Sequence, residues 1–147
     1  MPTLLSTYIE NRQRVQPNHA NVYDTVHGGN VMKWMDEYGA MSAMRLAGEA
    51  CVTATVQDLD FERPVPVGDI VVVESYVYDT GRTSVTTRVK AHRENPRTGA
   101  REQTTDSAFV YVAVDQDGDP IPVPDLNVET ERGQELRDAA LARENGE

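Results

Sequence analysis

The sequence predicts an α+β fold in which an antiparallel β-sheet wraps around one long central α-helix. Three observations carry this reading. A helical pattern from about Gly29 to Ala47 turns apolar on most sides in its second half, as in a helix buried inside a domain. Four segments rich in β-branched and aromatic residues follow it. Turn chemistry separates them at Arg63-Pro-Val-Pro-Val-Gly68, Asp79-Thr-Gly-Arg82 and Asn95-Pro-Arg-Thr-Gly99, which implies a meander of consecutive strands.

Taken in order, Thr3–Glu10 (TLLSTYIE) alternates weakly and reads as a first strand, followed by the polar segment Asn11–Asn21. On the helical wheel Val31, Met32, Met35, Tyr38, Gly39 and Ala43 share one arc, and Asn30, Lys33 and Glu37 lie opposite. Trp34, Met41 and Met44 intrude on that polar arc, and Gly48 supplies a C-terminal cap. The strands are expected at Ala50–Phe61, Asp69–Tyr78, Thr83–Arg93 and Arg101–Val114. A Pro- and Asp-rich loop spans Asp115–Asp125, and Glu129–Asn145 reads as a charged, peripheral helix. Residues 1–125 are thus expected to form one domain, and 126–147 an acidic helix or tail. Asp115-Gln-Asp-Gly-Asp119 begins like a calcium loop but lacks the bidentate Glu at the required distance, so it reads as a solvated turn.

The 147 residues, 39% of them hydrophobic, suffice for one core but not two. Small domains of this kind often bury further surface by oligomerising. With 24 acidic against 14 basic residues the formal net charge is -10, a field that repels nucleic-acid phosphate and argues against a nucleic-acid partner. Lys33 and Lys90 are the only lysines, and this acid-rich, lysine-poor composition resembles cytoplasmic proteins of salt-accumulating organisms. Cys51 is the sole cysteine, so no intrachain disulfide forms; it reads as a buried strand residue in a cytoplasmic protein. No apolar run has membrane-spanning length and the N-terminus lacks a secretory pattern, so no membrane partner is expected.

The stretch TVHGGNVMKWMDEYG, Thr25–Gly39, carries the chemistry. A helix N-terminus presents unpaired N–H groups and the positive end of its dipole, and glycines there admit another molecule. His27-Gly28-Gly29 therefore suits either a tight turn into the helix or a cradle for a carbonyl oxygen becoming an oxyanion. Asp36 follows roughly 10 Å into the helix at the edge of the apolar arc. It reads either as a solvated group or as a general base or nucleophile, whereas Glu37 points outward. Asn21 reads either as a turn residue or as a group that orients water or a substrate carbonyl. His19 and His27 lack a second histidine at helical spacing or a cysteine pair, so no metal is expected. Neither a nucleophile elbow nor a phosphate loop is present.

These motifs together resemble the helix signature of hot-dog acyl-CoA thioesterases. The likeness is to the group containing the brain-type acyl-CoA hydrolases and the bacterial YciA-like enzymes. It rests on Asn21-Val-Tyr-Asp-Thr-Val-His-Gly-Gly29, Val31–Glu37 and Gly39-Ala40, then Phe61–Asp69, Gly81-Arg-Thr-Ser84 and Ala108–Asp115, and spans roughly residues 5–124. The resemblance implies a hot-dog fold and hydrolysis of acyl-CoA to CoA and a free acid, without metal or other cofactor. It implies that Asp36 is the catalytic carboxylate, as base or as nucleophile, that Asn21 positions water or thioester, and that the Gly28–Gly29 region supplies oxyanion donors. Arg82, Thr83 and Ser84 fall where family members contact CoA, and Arg63 is a weaker candidate for its phosphates. Arg63, Arg82 and Arg88 are expected to make a locally basic entrance in the acidic chain. The family's site forms between two hot-dog units, so the resemblance implies a homodimer or a trimer of dimers, with Asn21 and Asp36 meeting from opposite chains. Two rivals are a non-catalytic acyl-CoA sensor and a hot-dog enoyl-CoA hydratase. The hydratase pattern needs Asp and His five residues apart, and Asp24 precedes His27 by three.

Overall fold

A computed structural model describes residues 2–146 as a five-stranded antiparallel sheet curled around a long helix. In chain order the elements are β1 (Ile9–Arg14), α1 (Gly28–Ala47), β2 (Cys51–Gln57), β3 (Ile70–Thr80), β4 (Ser84–Glu94), β5 (Arg101–Ala113) and α2 (Glu131–Glu144). The strand order is β1-β3-β4-β5-β2. Two expectations are corrected. The first strand is Ile9–Arg14 rather than Thr3–Glu10, because Leu5–Thr7 folds into a 3-10 turn that buries Leu4. The meander holds only for β3, β4 and β5; β2 pairs with β5 at the far edge. The segment after β2 crosses over instead, bonding Glu62 N–H to Thr104 O and receiving Val26 N–H on Val65 O.

Local sequence explains α1. Its N-cap is His27, whose Nδ1 accepts the Gly29 N–H, and it stops at Gly48, whose φ of 71° is left-handed backbone that glycine adopts freely. Val31, Trp34, Met35, Ala43 and Leu46 pack on the sheet. Ser42 Oγ meets Ser75 Oγ at 2.8 Å in the buried seam with β3. β4 alternates cleanly, with Val85, Val89 and Ala91 facing α1, as a sheet with one core face should. Register shifts interrupt three ladders, between Val77 and Asp79, Ala91 and His92, and Thr53 and Thr55. Such bulges sharpen the twist and help the sheet curl.

The wheel expectation that the second half of α1 is covered all round is also corrected. Met41 and Met44 remain 44% and 40% exposed, and Met32, nearer the start of the helix, is also exposed. Edge strand β2 adds Val52 and Val56, both exposed. Cys51, expected buried, is half-buried at the start of the same strand, and burial pushes its thiol pKa up. An unpaired strand edge beside an uncovered apolar helix face is a surface that soluble proteins normally pair.

The C-terminal helix is peripheral in position but joins a second core on the outer face of the sheet. Leu136 and Ala140 are buried there with Leu4, Tyr76 and Tyr78, and Tyr76 Oη donates to Leu136 O at 3.0 Å. Thr130 caps the helix by accepting the Gly133 N–H. Leu136→Ala should therefore lower stability by about 2–4 kcal/mol, read as a fall in melting temperature.

Candidate active site

Asp36 stands half-buried on α1 and is anchored from two strands. Thr53 Oγ1 of β2 donates to its Oδ1 at 2.6 Å. Tyr111 Oη of β5 lies 3.2 Å from the same oxygen and 3.0 Å from the Asp36 carbonyl, so its single proton is shared between them. Burial, with the Asp36 carboxylate beside it, pushes the Tyr111 pKa far up, so the phenol stays protonated and acts as a donor. Both contacts fall on Oδ1, and Oδ2 has no protein partner among the described residues. Asp36 lines a cavity of about 330 Å³ with Gly29, Met32, Thr53, Val56 and Phe109. Glu37 points outward, exposed and 4.0 Å from Lys33, as the wheel predicts.

Asn21 lies in a different cavity, of about 350 Å³, with Thr25, Gly28, Val31, Phe61, Arg63 and Thr104. Its Oδ1 accepts from Tyr23 N–H, Thr25 N–H and Thr25 Oγ1, which fixes the turn and turns Nδ2 the other way. The turn role and a donor role toward a ligand are therefore compatible. Among the described residues, neither of these two cavities contains both Asn21 and Asp36. The two glycines divide the same way, Gly28 on the Asn21 side and Gly29 on the Asp36 side. Gly29 N–H is occupied by His27 Nδ1 at 3.1 Å, whereas Gly28 N–H has no acceptor among the described residues.

The candidate CoA contacts split likewise. Arg82, Thr83 and Ser84 form the β3–β4 turn, pinned by bonds from Val123 N–H to Arg82 O and from Ala113 N–H to Thr83 O. Ser84 pairs with Val112, one position along from the Val85–Tyr111 pair, so this turn adjoins the Asp36 cluster. Arg63 belongs to the Asn21 cavity, but its guanidinium donates to Gln103 O at 2.7 Å and lies 3.4 Å from Glu102. The expected basic entrance needs correction at Arg88. That side chain is largely but not fully buried on the outer face, donating to Asp106 at 2.7 Å and to Tyr76 Oη at 3.3 Å, next to Arg143 of α2. Of the three arginines, Arg82 alone has no acidic partner among the described residues.

His19 Nδ1 accepts the Gln16 N–H and its ring packs edge-on to Trp34 at 5.0 Å, so both loop histidines hold local structure. Asp115 Oδ1 accepts the N–H groups of Asp117 and Asp119, as a solvated turn would. Sequence reasoning missed Thr53 and Tyr111. Tyr111 shares its inward parity with Phe109 on β5, and a glycine in mid-helix three residues past Asp36 marks a close neighbour; these were the available signals.

Residues 23–100 match the family model described as the thioesterase superfamily. The chain belongs to this superfamily. Among similar proteins of the superfamily, a Bacillus subtilis protein named uncharacterized acyl-CoA thioester hydrolase YkhA is 37% identical over 132 residues, covering 90% of this chain and 77% of its own. An apo-hexameric acyl-CoA thioesterase superposes with a TM-score of 0.87 at 37% identity, covering 98% of this chain and 92% of that one. The acyl-CoA hydrolase of Staphylococcus aureus, in complex with butyryl coenzyme A, coenzyme A and coenzyme A disulfide, gives a TM-score of 0.86 at 27% identity, covering 97% and 87%. That hydrolase is also known as alanine mutants of an aspartate, an asparagine and a threonine, the asparagine mutant in complex with coenzyme A. These neighbours share the hot-dog thioesterase fold with this member of the superfamily. No helix among its described residues is long and apolar enough to cross a membrane.

Proposed function

We propose that the protein hydrolyses acyl-CoA thioesters to CoA and a carboxylic acid, with Asp36 as the catalytic carboxylate. The carrying observation is a carboxylate with one oxygen held by two hydroxyls and the other free, beside a glycine-opened helix N-terminus in a largely apolar cavity. The free oxygen serves equally to take a proton from water or to attack the carbonyl carbon. Either route breaks the C–S bond and consumes one water, whose net addition leaves a hydroxyl on the acyl carbon and a proton on the departing CoA sulfur. The relatives' names support the reaction. In the Staphylococcus hydrolase the mutated asparagine, aspartate and threonine stand fifteen and seventeen positions apart, the spacing of Asn21, Asp36 and Thr53 here.

The site is completed by a second copy. Asn21 and the free Gly28 N–H line one cavity and Asp36 another, so a homodimer that pairs β2 edges and covers Met32, Met44, Val52 and Val56 would bring the two halves together twice. A trimer of such dimers accords with the hexameric neighbour. Arg82, Thr83 and Ser84 receive the CoA moiety from the Asp36 side, with Arg63 on the Asn21 side. The reaction needs no metal or other cofactor, and the lone thiol suits a reducing cytoplasm.

Thiol release measured over acyl-CoAs of increasing chain length, with and without EDTA, tests this. Turnover of at least one chain-length class, unchanged by EDTA, is expected. Tight binding with no thiol released from any of them would make the protein an acyl-CoA sensor instead.

A further inference from the structure

Gly39 sits in mid-helix, where glycine costs about 0.5–1 kcal/mol relative to alanine. It is buried, three residues past Asp36, and hence on the same side of α1. A Cβ built on Gly39 would collide with the Tyr111 hydroxyl, lie 3.3 Å from Tyr111 Cζ and 3.1 Å from Val89 Cγ2. The missing methyl is thus the space through which a phenol from β5 reaches the helix. Its buried hydroxyl needs an acceptor, and both acceptors within reach belong to Asp36: the carbonyl at 3.0 Å and Oδ1 at 3.2 Å.

We propose that Tyr111 is a positioning residue for the Asp36 carboxylate, and that Gly39 is the notch in α1 that admits it. This rests on the reading of Asp36 as the catalytic carboxylate. Tyr111 is fully buried and absent from the walls of the Asp36 cavity, so it does not touch substrate. It acts through Asp36, fixing Oδ1 toward the sheet so that Oδ2 faces the cavity. The Thr53 hydroxyl does the same from β2, at the wall of the Asp36 cavity. The Tyr111 bond is made inside the core, where a hydrogen bond to a charged group is stronger. Phe109 stacks beside the Tyr111 ring at 6.3 Å and holds it from the other side. The arrangement is a relay of shape: a small residue on the helix sets the depth of a phenol on the sheet, and the phenol sets the carboxylate.

The experiment is a steady-state double-mutant cycle on the full-length oligomer, with Asp36→Ala as reference and a folded elution profile checked for each variant. Tyr111→Phe keeps the ring and removes only the hydroxyl. It should lower kcat about tenfold or more, the effect of losing a hydrogen bond to a charged group, with KM unchanged. Gly39→Ala should also lower kcat, and by a much larger factor alone than in the Tyr111→Phe background, where the colliding hydroxyl is gone. A Tyr111→Phe variant with wild-type kcat, beside an inactive Asp36→Ala, would overturn the positioning role. Equal effects of Gly39→Ala in the two backgrounds would overturn the notch. Activity in Asp36→Ala itself would instead remove the underlying assignment, so the two failures are distinguishable. If Gly39→Ala alone fails to assemble, assembly regained in the double variant supports the notch, and failure in both overturns it.

Discussion

Asp36→Ala should reduce kcat for acyl-CoA hydrolysis by about 10²- to 10⁴-fold or more, the range set by loss of a positioned base or nucleophile. The oligomer should survive the change, for structural reasons. Tyr111 Oη keeps the carbonyl of residue 36 as an acceptor at 3.0 Å, so no buried phenol is orphaned. Thr53 lines the same cavity and can turn its hydroxyl to water there. Elution volume and melting temperature should therefore stay close to wild type while thiol release disappears. Near-normal turnover would remove Asp36 from the chemistry and leave its two hydroxyl partners as packing alone.

A second large effect is expected from mixing two inactive proteins. Asn21→Ala and Asp36→Ala chains, each tagged differently and co-expressed, should form mixed dimers in which one of the two sites holds both intact residues. Random pairing in equal amounts makes about half of the dimers mixed, so the pool should recover about a quarter of wild-type activity. The purified mixed species should show about half. The structural basis is the separation of Asn21 and Asp36 into different cavities of the protomer. Were both residues used from the same chain, no mixture would recover anything, and the shared-site reading would fall.

The acidic chain and a polyanionic substrate are reconciled more locally than the sequence implied. Arg88 is consumed by Asp106 beneath α2, and Arg63 leans on Glu102 and the Gln103 carbonyl. Arg82, on the turn beside the Asp36 cluster, has no acidic partner among the described residues. The strand alternation of β4 places Arg88 outward, and outward is solvent only where nothing folds back over the sheet. Here the C-terminal helix does, with Arg143 donating to the Asp106 carbonyl at 2.7 Å.

Much of this protein was legible because its causes are local. The start and stop of α1, the three meander strands and the outward turn of Glu37 follow from capping residues, period and turn chemistry within a few positions. The stretch with Asn21, Gly28, Gly29 and Asp36 could be singled out because it is short and resembles a family signature, and the roles of its residues rest on that resemblance. What the fold alone decided is everything that depends on distant segments meeting. The partners of Asp36 come from 17 and 75 positions away, and β2 reaches β5 by a crossover that no short turn signals. The chain by itself thus determined which residue types are available for thioester chemistry and on which element they sit. The tertiary structure decided which oxygen of Asp36 is held, that Asn21 lies in another cavity, and that an apolar helix face and a strand edge remain uncovered. The physical reason is that side-chain contacts across a sheet depend on register and curl, which are set by the packing of the whole domain rather than by any local stretch.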